Sequence, residues 1–414
     1  MGREPGSMPE ASNRSLLRSL LFLALLLLQT FVYVIFLLAP ALPMLLSIPP
    51  LRDSCMRCYR YWAGMVEVAY FGFAAAMLEH LLGVRVVVYG DEVPPRERAL
   101  ILSNHRTRVD WMFIWCLCAR THQLAQLRIV LQDAVKSLPG IGWGCQAFLF
   151  VFLARDRSRD LAHMRQVFRY LVTHHYPTTL LLFPEGTDLS RSNLEKAHKY
   201  AESRRLQRHD YVLQPKVAGF LETLDGLGPM LDAVYDVTLG YADQRNARTG
   251  EFERPSDKAL IMGRPPREVH MLVQRIPIKD MPIGDEAALR AWMAASFQAK
   301  EQRLRAFYAG RETGAAVAFK GEKVWSDSSG ARSAALSGAA LFATTLLMAC
   351  FLLWAFWQTK WYAMSVCCLF TLLTGFGDGL DVLEVRLGGL FGWRKGALSA
   401  SNHAQRAGAK PKSS

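Results

Sequence analysis

The sequence predicts an α/β fold with a largely parallel sheet flanked by helices, carrying N-terminal membrane helices and a C-terminal transmembrane hairpin. Between residues 84 and 310, short apolar runs alternate with helical patterns, which is typical of parallel strands joined by helices. Polar turn motifs directly follow two of these apolar runs, where a parallel sheet collects its functional side chains. Long uncharged segments near both ends of the chain indicate the membrane helices.

Each predicted strand is a short apolar run bounded by turn residues. The runs cover residues 84–89, 99–103, 128–131, 148–153, 179–183, 211–213, 233–239 and 269–274. Helical periodicity is present over residues 159–174 and 190–206, and residues 285–309 predict an amphipathic helix that closes the domain. Residues 243–268 are rich in charge, Pro and Gly and predict a surface loop.

The chain contains no charged residue from Ser19 to Leu51, a longer stretch than the roughly 20 residues needed to span hydrocarbon. A second uncharged run, Ala334–Trp357, is followed by a short polar break and another apolar run to Phe376, which predicts the hairpin with tryptophans at its bend. We therefore divide the chain into a tail (1–18), an anchor with an amphipathic docking helix (19–83), the α/β domain (84–310), a linker (311–333), the hairpin (334–380) and a basic tail (381–414).

The first turn motif, Asn104-His105-Arg106-Thr107-Arg108-Val109-Asp110, follows the run 99–103. A neutral imidazole has the pKa of a general base at physiological pH, and a carboxylate that accepts its other N–H would orient it. Positions five apart on a regular helix differ by about 140°, so we predict that His105 and Asp110 meet only outside regular helix. Ser103 or Asn104 is predicted to cap the helix that follows. The alternative is a structural histidine and a helix-dipole aspartate.

The second turn motif, Phe183-Pro184-Glu185-Gly186-Thr187, follows another buried run. A carboxylate at the carboxyl edge of a parallel sheet can hold a substrate hydroxyl or a partner arginine, and we assign that role to Glu185. Arg155 ends the apolar run 148–154, and its guanidinium can bind phosphate oxygens in a bidentate manner. The alternative for Arg155 is a charge at a strand end that faces water.

Together, in this order and at this distance, the two motifs resemble the signature of the glycerolipid acyltransferases, the 1-acylglycerol-3-phosphate acyltransferase family. Trp111-Met112-Phe113, Pro139-Gly140-Ile141-Gly142-Trp143 and the terminal apolar pair are similar to its lysocardiolipin acyltransferase branch. The resemblance implies transfer of an acyl group from acyl-CoA, as co-substrate, to a lysophospholipid hydroxyl. The branch implies lysocardiolipin, lysophosphatidylinositol or lysophosphatidylglycerol as acceptor.

The resemblance also implies roles for individual residues. His105 and Asp110 would be catalytic, and Arg155 with Glu185, Gly186 and Thr187 would bind the glycerol-phosphate part of the acceptor. Lys136, which precedes the Pro139-Gly140 turn, would face CoA phosphates. Pro215, in the run Val212–Phe220 that is similar to the family's last motif, would shape the acyl or acceptor site.

The formal net charge of +13 comes without a basic repeat or a nucleic-acid-binding motif, so we expect a lipid bilayer as partner and no nucleic acid. We expect no metal, because the single Cys55-x-x-Cys58 lacks the second pair that a zinc site needs. We also expect no cofactor, with acyl-CoA acting as co-substrate. No nucleophilic Ser or Cys stands out beside His105, which favours direct transfer. The open alternatives are a lysophosphatidic acid acyltransferase, a non-catalytic membrane scaffold and, more distantly, a hydrolase.

The C-terminal Lys410-Pro411-Lys412-Ser413-Ser414 resembles the dilysine-type retrieval signals of endoplasmic-reticulum membrane proteins, which are read in the cytosol. We therefore expect residence in that membrane, with the α/β domain on the cytosolic side.

Overall fold

The sheet lies at the centre of the molecule, in a computed structural model that describes residues 13–242, 255–309, 318–325 and 328–389. Its strands are β1 (Arg85–Gly90), β2 (Ala99–Ser103), β3 (Leu127–Gln132), β4 (Val151–Leu153), β5 (Thr179–Leu182), β6 (Ala233–Tyr241) and β7 (Glu268–Pro277). They are arranged in the order β1-β7-β6-β2-β5-β3-β4, and within the described residues only β6 and β7 pair antiparallel. The predicted largely parallel sheet is confirmed.

Helices lie at both ends of the described part of the chain and flank the sheet. They are α1 (Asn13–Tyr33), α2 (Pro49–Ala76), α3 (Asp110–Arg120), α4 (Ile141–Ala147), α5 (Arg157–Thr173), α6 (Arg191–Arg204), α7 (Ala218–Leu227), α8 (Asp257–Ile261), α9 (Glu286–Ala309), α10 (Ser329–Ala355), α11 (Gln358–Phe376) and α12 (Leu380–Gly389). The central strands β2 and β5 are buried along their whole length, because helices cover both faces of a parallel sheet.

Two predicted strands differ from the structure. Residues 211–213 form a loop, because their backbone N–H groups are taken by side chains: Glu301 accepts those of Tyr211 and Val212. The run 148–153 is a strand only from Val151, since Phe148 ends α4 and Leu149 has a φ of 57°. In the predicted loop 243–268, residues 243–254 lie outside the described residues, and the rest contains the short helix α8.

Among the described residues, three helical segments are long and apolar enough to cross a membrane: Asn13–Leu46, Pro50–Leu81 and Ser329–Ala355. The pair α11 and α12, bent by 72°, makes a fourth if counted as one broken span. Within Pro50–Leu81, 67% of the most apolar window is buried by protein, which is the behaviour of a helix docked on a domain. α10 lies along α2, where Gly72 and Gly338 leave no room for a Cβ.

The predicted basic tail begins too early, because residues 380–389 fold back as α12 against the α/β domain. Asp381 and Glu384 of this helix are buried in ion pairs with Lys136 and Arg60. The remainder of that tail, with its retrieval-like sequence, lies outside the described residues.

Candidate active site

His105 and Asp110 meet as the motif requires. His105 Nδ1 lies 3.0 Å from Asp110 Oδ2. The chain between them is an irregular turn, and regular helix begins only at Asp110. The geometric prediction from their spacing is therefore confirmed. The catalytic roles of the two residues stay predictions.

The Asp110 carboxylate organises the whole turn. Its Oδ2 also accepts the backbone N–H groups of Arg106, at 2.7 Å, and Thr107, at 3.0 Å, while its Oδ1 accepts the hydroxyl of Tyr241. The predicted cap by Ser103 or Asn104 was wrong. Instead, the Asn104 side-chain NH2 donates to the Leu239 carbonyl, and its amide oxygen accepts the Leu239 N–H. This pair of hydrogen bonds fixes the end of β2 beside the end of β6.

The imidazole of His105 is packed against the second motif. Its ring stacks on Phe183, with centroids 4.3 Å apart, and 16% of the side chain remains exposed. Burial by itself lowers the pKa of His105, but the hydrogen bond and charge of Asp110, with Glu185 and Asp188 nearby, outweigh burial and raise it above its ordinary value. The geometry thus provides an oriented imidazole that stacks on Phe183, in a side chain that is not completely buried.

Glu185 joins the two motifs. One carboxylate oxygen accepts the backbone N–H of His105 at 2.8 Å, and the other accepts that of Leu213 at 3.0 Å. Burial raises the pKa of Glu185 to about 8, against the lowering effect of these amide donors and of His105. No arginine contacts Glu185 among the described ion pairs, so the carboxylate positions backbone here. Its binding of an acceptor hydroxyl remains a prediction.

Gly186, Thr187 and Pro215 lie on the turns around Glu185. Gly186 has a φ of 69°, which favours glycine, and its N–H is used within the turn by the Phe183 carbonyl. The Thr187 hydroxyl accepts from the Asn193 amide at 2.9 Å, linking the turn to α6. Pro215 is half-buried in the adjoining loop. Contact of these three residues with an acceptor or an acyl chain stays a prediction.

Arg155 also lies at the carboxyl edge of the sheet. It does not contact His105. It follows β4, with its guanidinium exposed and 3.3 Å from the Gln132 side chain. Three strand intervals separate β4 from β2, or about 14 Å at the usual spacing. A bound molecule would have to bridge the gap between Arg155 and His105.

Two family models match the chain: one described as "Acyltransferase" over residues 85–217, and one described as "Acyltransferase C-terminus" over residues 259–324. Lysocardiolipin acyltransferase 1 of Danio rerio is 40% identical over 293 residues, which cover 70% of this chain and 71% of that protein. Lysocardiolipin acyltransferase 1 of Mus musculus is 32% identical over 377 residues, 89% of this chain and 94% of that protein.

The chain belongs to this acyltransferase family. Lysophosphatidylinositol acyltransferase 10 of Caenorhabditis elegans is a further relative, 34% identical over 60% of this chain and 64% of that protein. The crystal structure of the 1-acyl-sn-glycerophosphate acyltransferase from Thermotoga maritima covers 70% of this chain and 98% of its own, at 18% identity and a TM-score of 0.39. The chain is thus an acyltransferase with apolar helices suited to a membrane.

Lys136 does not face an open phosphate site, contrary to the sequence-based expectation. Its ammonium is buried, donates to the carbonyl of Asp378 at 2.5 Å and lies 3.1 Å from the Asp381 carboxylate. It also sits 4.9 Å from the centre of the Phe152 ring. The C-terminal segment therefore supplies the partners of the Lys136 ammonium, and the pattern around Pro139 and Gly140 could not reveal them.

Sequence reasoning missed Lys216, the residue after Pro215. Its ammonium lies against the Gly186 turn, where a Cβ added to Gly186 would come within 3.1 Å of it. Lys216 is exposed, and its backbone N–H donates to the Pro184 carbonyl at 2.7 Å. The signal in the sequence is a basic residue directly after Pro215, within the run Val212–Phe220.

Sequence reasoning also missed an aromatic group behind the turn. Arg106 is buried, with its guanidinium 4.8 Å from the centre of the Tyr308 ring and donating to the Tyr211 carbonyl at 2.9 Å. The Tyr308 hydroxyl in turn accepts the backbone N–H of Tyr241. These residues come from the distant elements β6 and α9, so no local pattern could have joined them to the motif.

Proposed function

We propose that this protein transfers an acyl group from acyl-CoA to a lysophospholipid hydroxyl, with His105 as general base. The observation that carries the proposal is the pairing of His105 Nδ1 with a fully buried Asp110, in a histidine whose side chain is still partly exposed. This pairing leaves Nε2 as the nitrogen that can take a proton. No cofactor beyond the acyl-CoA co-substrate is part of the proposal.

The reaction we propose is direct transfer. His105 removes the proton of the acceptor hydroxyl as the hydroxyl oxygen attacks the thioester carbon. The tetrahedral intermediate then collapses: the carbon–sulfur bond breaks, and the CoA sulfur leaves and receives the proton held by His105. Asp110 stabilises the transient imidazolium and fixes the tautomer of His105. The backbone donors of Arg106 and Thr107 hold this buried carboxylate in place for that role.

The cations around the site are suited to bind the phosphate of the acceptor. Lys216 lies at the Gly186 turn, and Arg155 lies further along the same edge of the sheet. An acceptor whose phosphate lies between these cations and whose hydroxyl reaches His105 would bridge the estimated gap. Arg155, Glu185, Gly186, Thr187 and Pro215 are the residues we propose for acceptor binding, together with Lys216.

The acceptor class we favour is lysocardiolipin, lysophosphatidylinositol or lysophosphatidylglycerol. Relatives that match the chain are named for the first two of these. The second candidate is lysophosphatidic acid, because a relative in Arabidopsis thaliana, 32% identical over 74% of this chain, is named probable 1-acyl-sn-glycerol-3-phosphate acyltransferase 5. A scaffold without catalysis is the third.

The experiment is acyl transfer by the purified full chain, with labelled oleoyl-CoA and a panel of the four lysolipids. Transfer to one of the first three acceptors supports the proposal, and transfer to lysophosphatidic acid alone selects the second candidate. His105→Ala should lower the rate at least about a hundredfold. His80→Ala, an exposed histidine at the end of the α2 segment, is the matched control and should retain the rate. Full activity of His105→Ala would rule out the mechanism.

We also propose that the protein resides in the endoplasmic-reticulum membrane with the α/β domain on the cytosolic side. The retrieval-like C-terminal sequence and the apolar helices support this placement. Protease digestion of sealed microsomes should cleave loops of the α/β domain. Complete protection of those loops until detergent is added would place the domain on the lumenal side.

A further inference from the structure

The Asp110 carboxylate has a partner on the side away from His105. Oδ2 serves His105 and the two backbone N–H groups of the turn, while Oδ1 accepts the hydroxyl of Tyr241. Both Asp110 and Tyr241 are completely buried. A buried carboxylate must be hydrogen-bonded to stay charged, and the Tyr241 hydroxyl supplies the hydrogen bond to Oδ1.

The fold leaves the Tyr241 hydroxyl little freedom. Tyr241 is the last residue of β6, and its backbone N–H donates to the Tyr308 hydroxyl of α9 at 3.0 Å. Its ring packs edge-on against Phe113 of α3, with centroids 5.8 Å apart. Because Asn104 also ties β6 to the end of β2, the phenol and the His105 turn are held in one register.

The direction of the hydrogen bond is also fixed. Burial, and then the charge of Asp110, raise the pKa of Tyr241 well above its ordinary value, so the phenol keeps its proton and donates it to the carboxylate. A donor to a carboxylate stabilises its charge and makes the carboxylate less basic. Asp110 then stabilises the protonated form of His105 less strongly.

We propose that Tyr241 is a positioning residue for the catalytic base: its hydroxyl fixes Asp110 and limits the basicity that Asp110 confers on His105. The inference rests on the proposed function of His105. In consequence a charged partner orients the imidazole. The imidazole is nevertheless neutral over more of the physiological pH range than it would be if Asp110 lacked the hydrogen bond from Tyr241. Tyr241 itself does not touch a substrate.

Other charged or titratable groups face this cluster and stay unchanged in the test. Around His105 they are Glu185 and Asp188, around Tyr241 they are Arg106 and Tyr308, Lys300 acts on Glu185, and Lys216 lies at the Gly186 turn. A substitution confined to the Tyr241 hydroxyl therefore isolates the effect of one donor.

The test is the pH dependence of kcat/KM for the purified full chain. In Tyr241→Phe the acid limb should move to higher pH by about half a pH unit to one, the usual worth of one hydrogen bond. Site-specific replacement of Tyr241 by 3-fluorotyrosine, a more acidic phenol and stronger donor, should move the limb to lower pH. Opposite shifts are not expected from a role in packing alone, because the fluorinated ring keeps the hydroxyl and its shape.

Tyr235→Phe is the matched control. Tyr235 lies on the same strand, is completely buried and donates its hydroxyl to the Glu97 carboxylate at 2.7 Å. It should leave the acid limb in place. An acid limb that stays put in both Tyr241 variants, or that moves equally in Tyr235→Phe, overturns the inference. The 3-fluorotyrosine variant keeps the inference testable if Tyr241→Phe does not fold. Failure of the proposed function would be seen separately, as an active His105→Ala.

Discussion

The His105 site and a second buried group each combine a carboxylate, a tyrosine hydroxyl and a nitrogen base or cation, yet the two groups differ in how completely they are enclosed. In the His105 site, Asp110 hydrogen-bonds the ring and accepts the Tyr241 hydroxyl, and part of the His105 side chain stays exposed. In the second group, which we term the Glu384 cluster, Arg60 lies 2.8 Å from Glu384 and donates to the Ala147 carbonyl, while Tyr170 donates to Glu384 at 2.7 Å. Its side chains are almost completely enclosed.

The difference shows that the same kinds of interaction can either orient a catalytic side chain or join helices of the fold. The Glu384 cluster joins α2, α5 and α12, three helices distant in the chain, and its groups face one another. In the His105 site the carboxylate orients the ring of a histidine whose side chain is not completely buried. We therefore expect substitutions in the His105 site to alter turnover and substitutions in the Glu384 cluster to alter stability.

The largest expected effect is that of Asp110→Asn. An amide in place of the carboxylate favours the wrong imidazole tautomer and removes the countercharge, and we expect a loss of about 10⁴-fold in kcat for acyl transfer. The control is Asp156→Asn, an exposed residue that caps α5 and should retain near-normal turnover. An Asp110→Asn protein of normal rate would remove Asp110 from the mechanism.

The next effect is on stability. Glu384→Ala leaves Arg60 buried without its carboxylate, and breaking such a pair costs about 3–5 kcal/mol in the free energy of unfolding. Thermal unfolding in detergent micelles measures this loss, while turnover per folded molecule should be unchanged. Glu92→Ala, at the exposed pair with Lys323, should leave the unfolding temperature almost unchanged. A normal unfolding temperature for Glu384→Ala would contradict the distinction between the two groups.

A smaller effect separates two lysines. Lys216→Met should lower kcat/KM for the phosphate-bearing acceptor by up to about fivefold, the worth of a solvent-accessible ion pair. Lys136→Met should lower the unfolding temperature and leave KM for acyl-CoA unchanged, because its ammonium pairs with Asp381. If Lys136→Met instead raised KM for acyl-CoA, the expectation drawn from the sequence would be right.

The smallest effect is the pH dependence of the unmodified protein. Neutral imidazole is the active form, and the pKa of His105 is raised, so kcat/KM should fall as pH decreases through a midpoint above the ordinary histidine value. Stability has the opposite sign. The charged pair with Asp110 stabilises the fold below the unfolded-state pKa of histidine, and this contribution is lost as pH rises through the folded value. A rate midpoint below that of free histidine would contradict the direction of the shift.

Much of the fold and the meeting of the two motifs could be predicted because they depend on local patterns. Apolar runs and turn residues located the strands that end at Ser103 and Leu182, and parallel pairing of β2 with β5 then brings the following turns together. The loop at residues 211–213 could not be predicted, since it depends on the carboxylates of Glu185 and Glu301 taking its N–H groups.

The sequence by itself determined the fold class, the membrane-suited segments at both ends and the placement of His105 and Asp110 on one irregular turn. Only the tertiary structure decided that Tyr241, 131 residues further along the chain, completes the hydrogen bonding of Asp110, and that Lys136 is buried under α12. The physical reason is that periodicity and turn chemistry act over a few residues, whereas these partners meet only through the order of strands in the sheet and the return of the C-terminal helices.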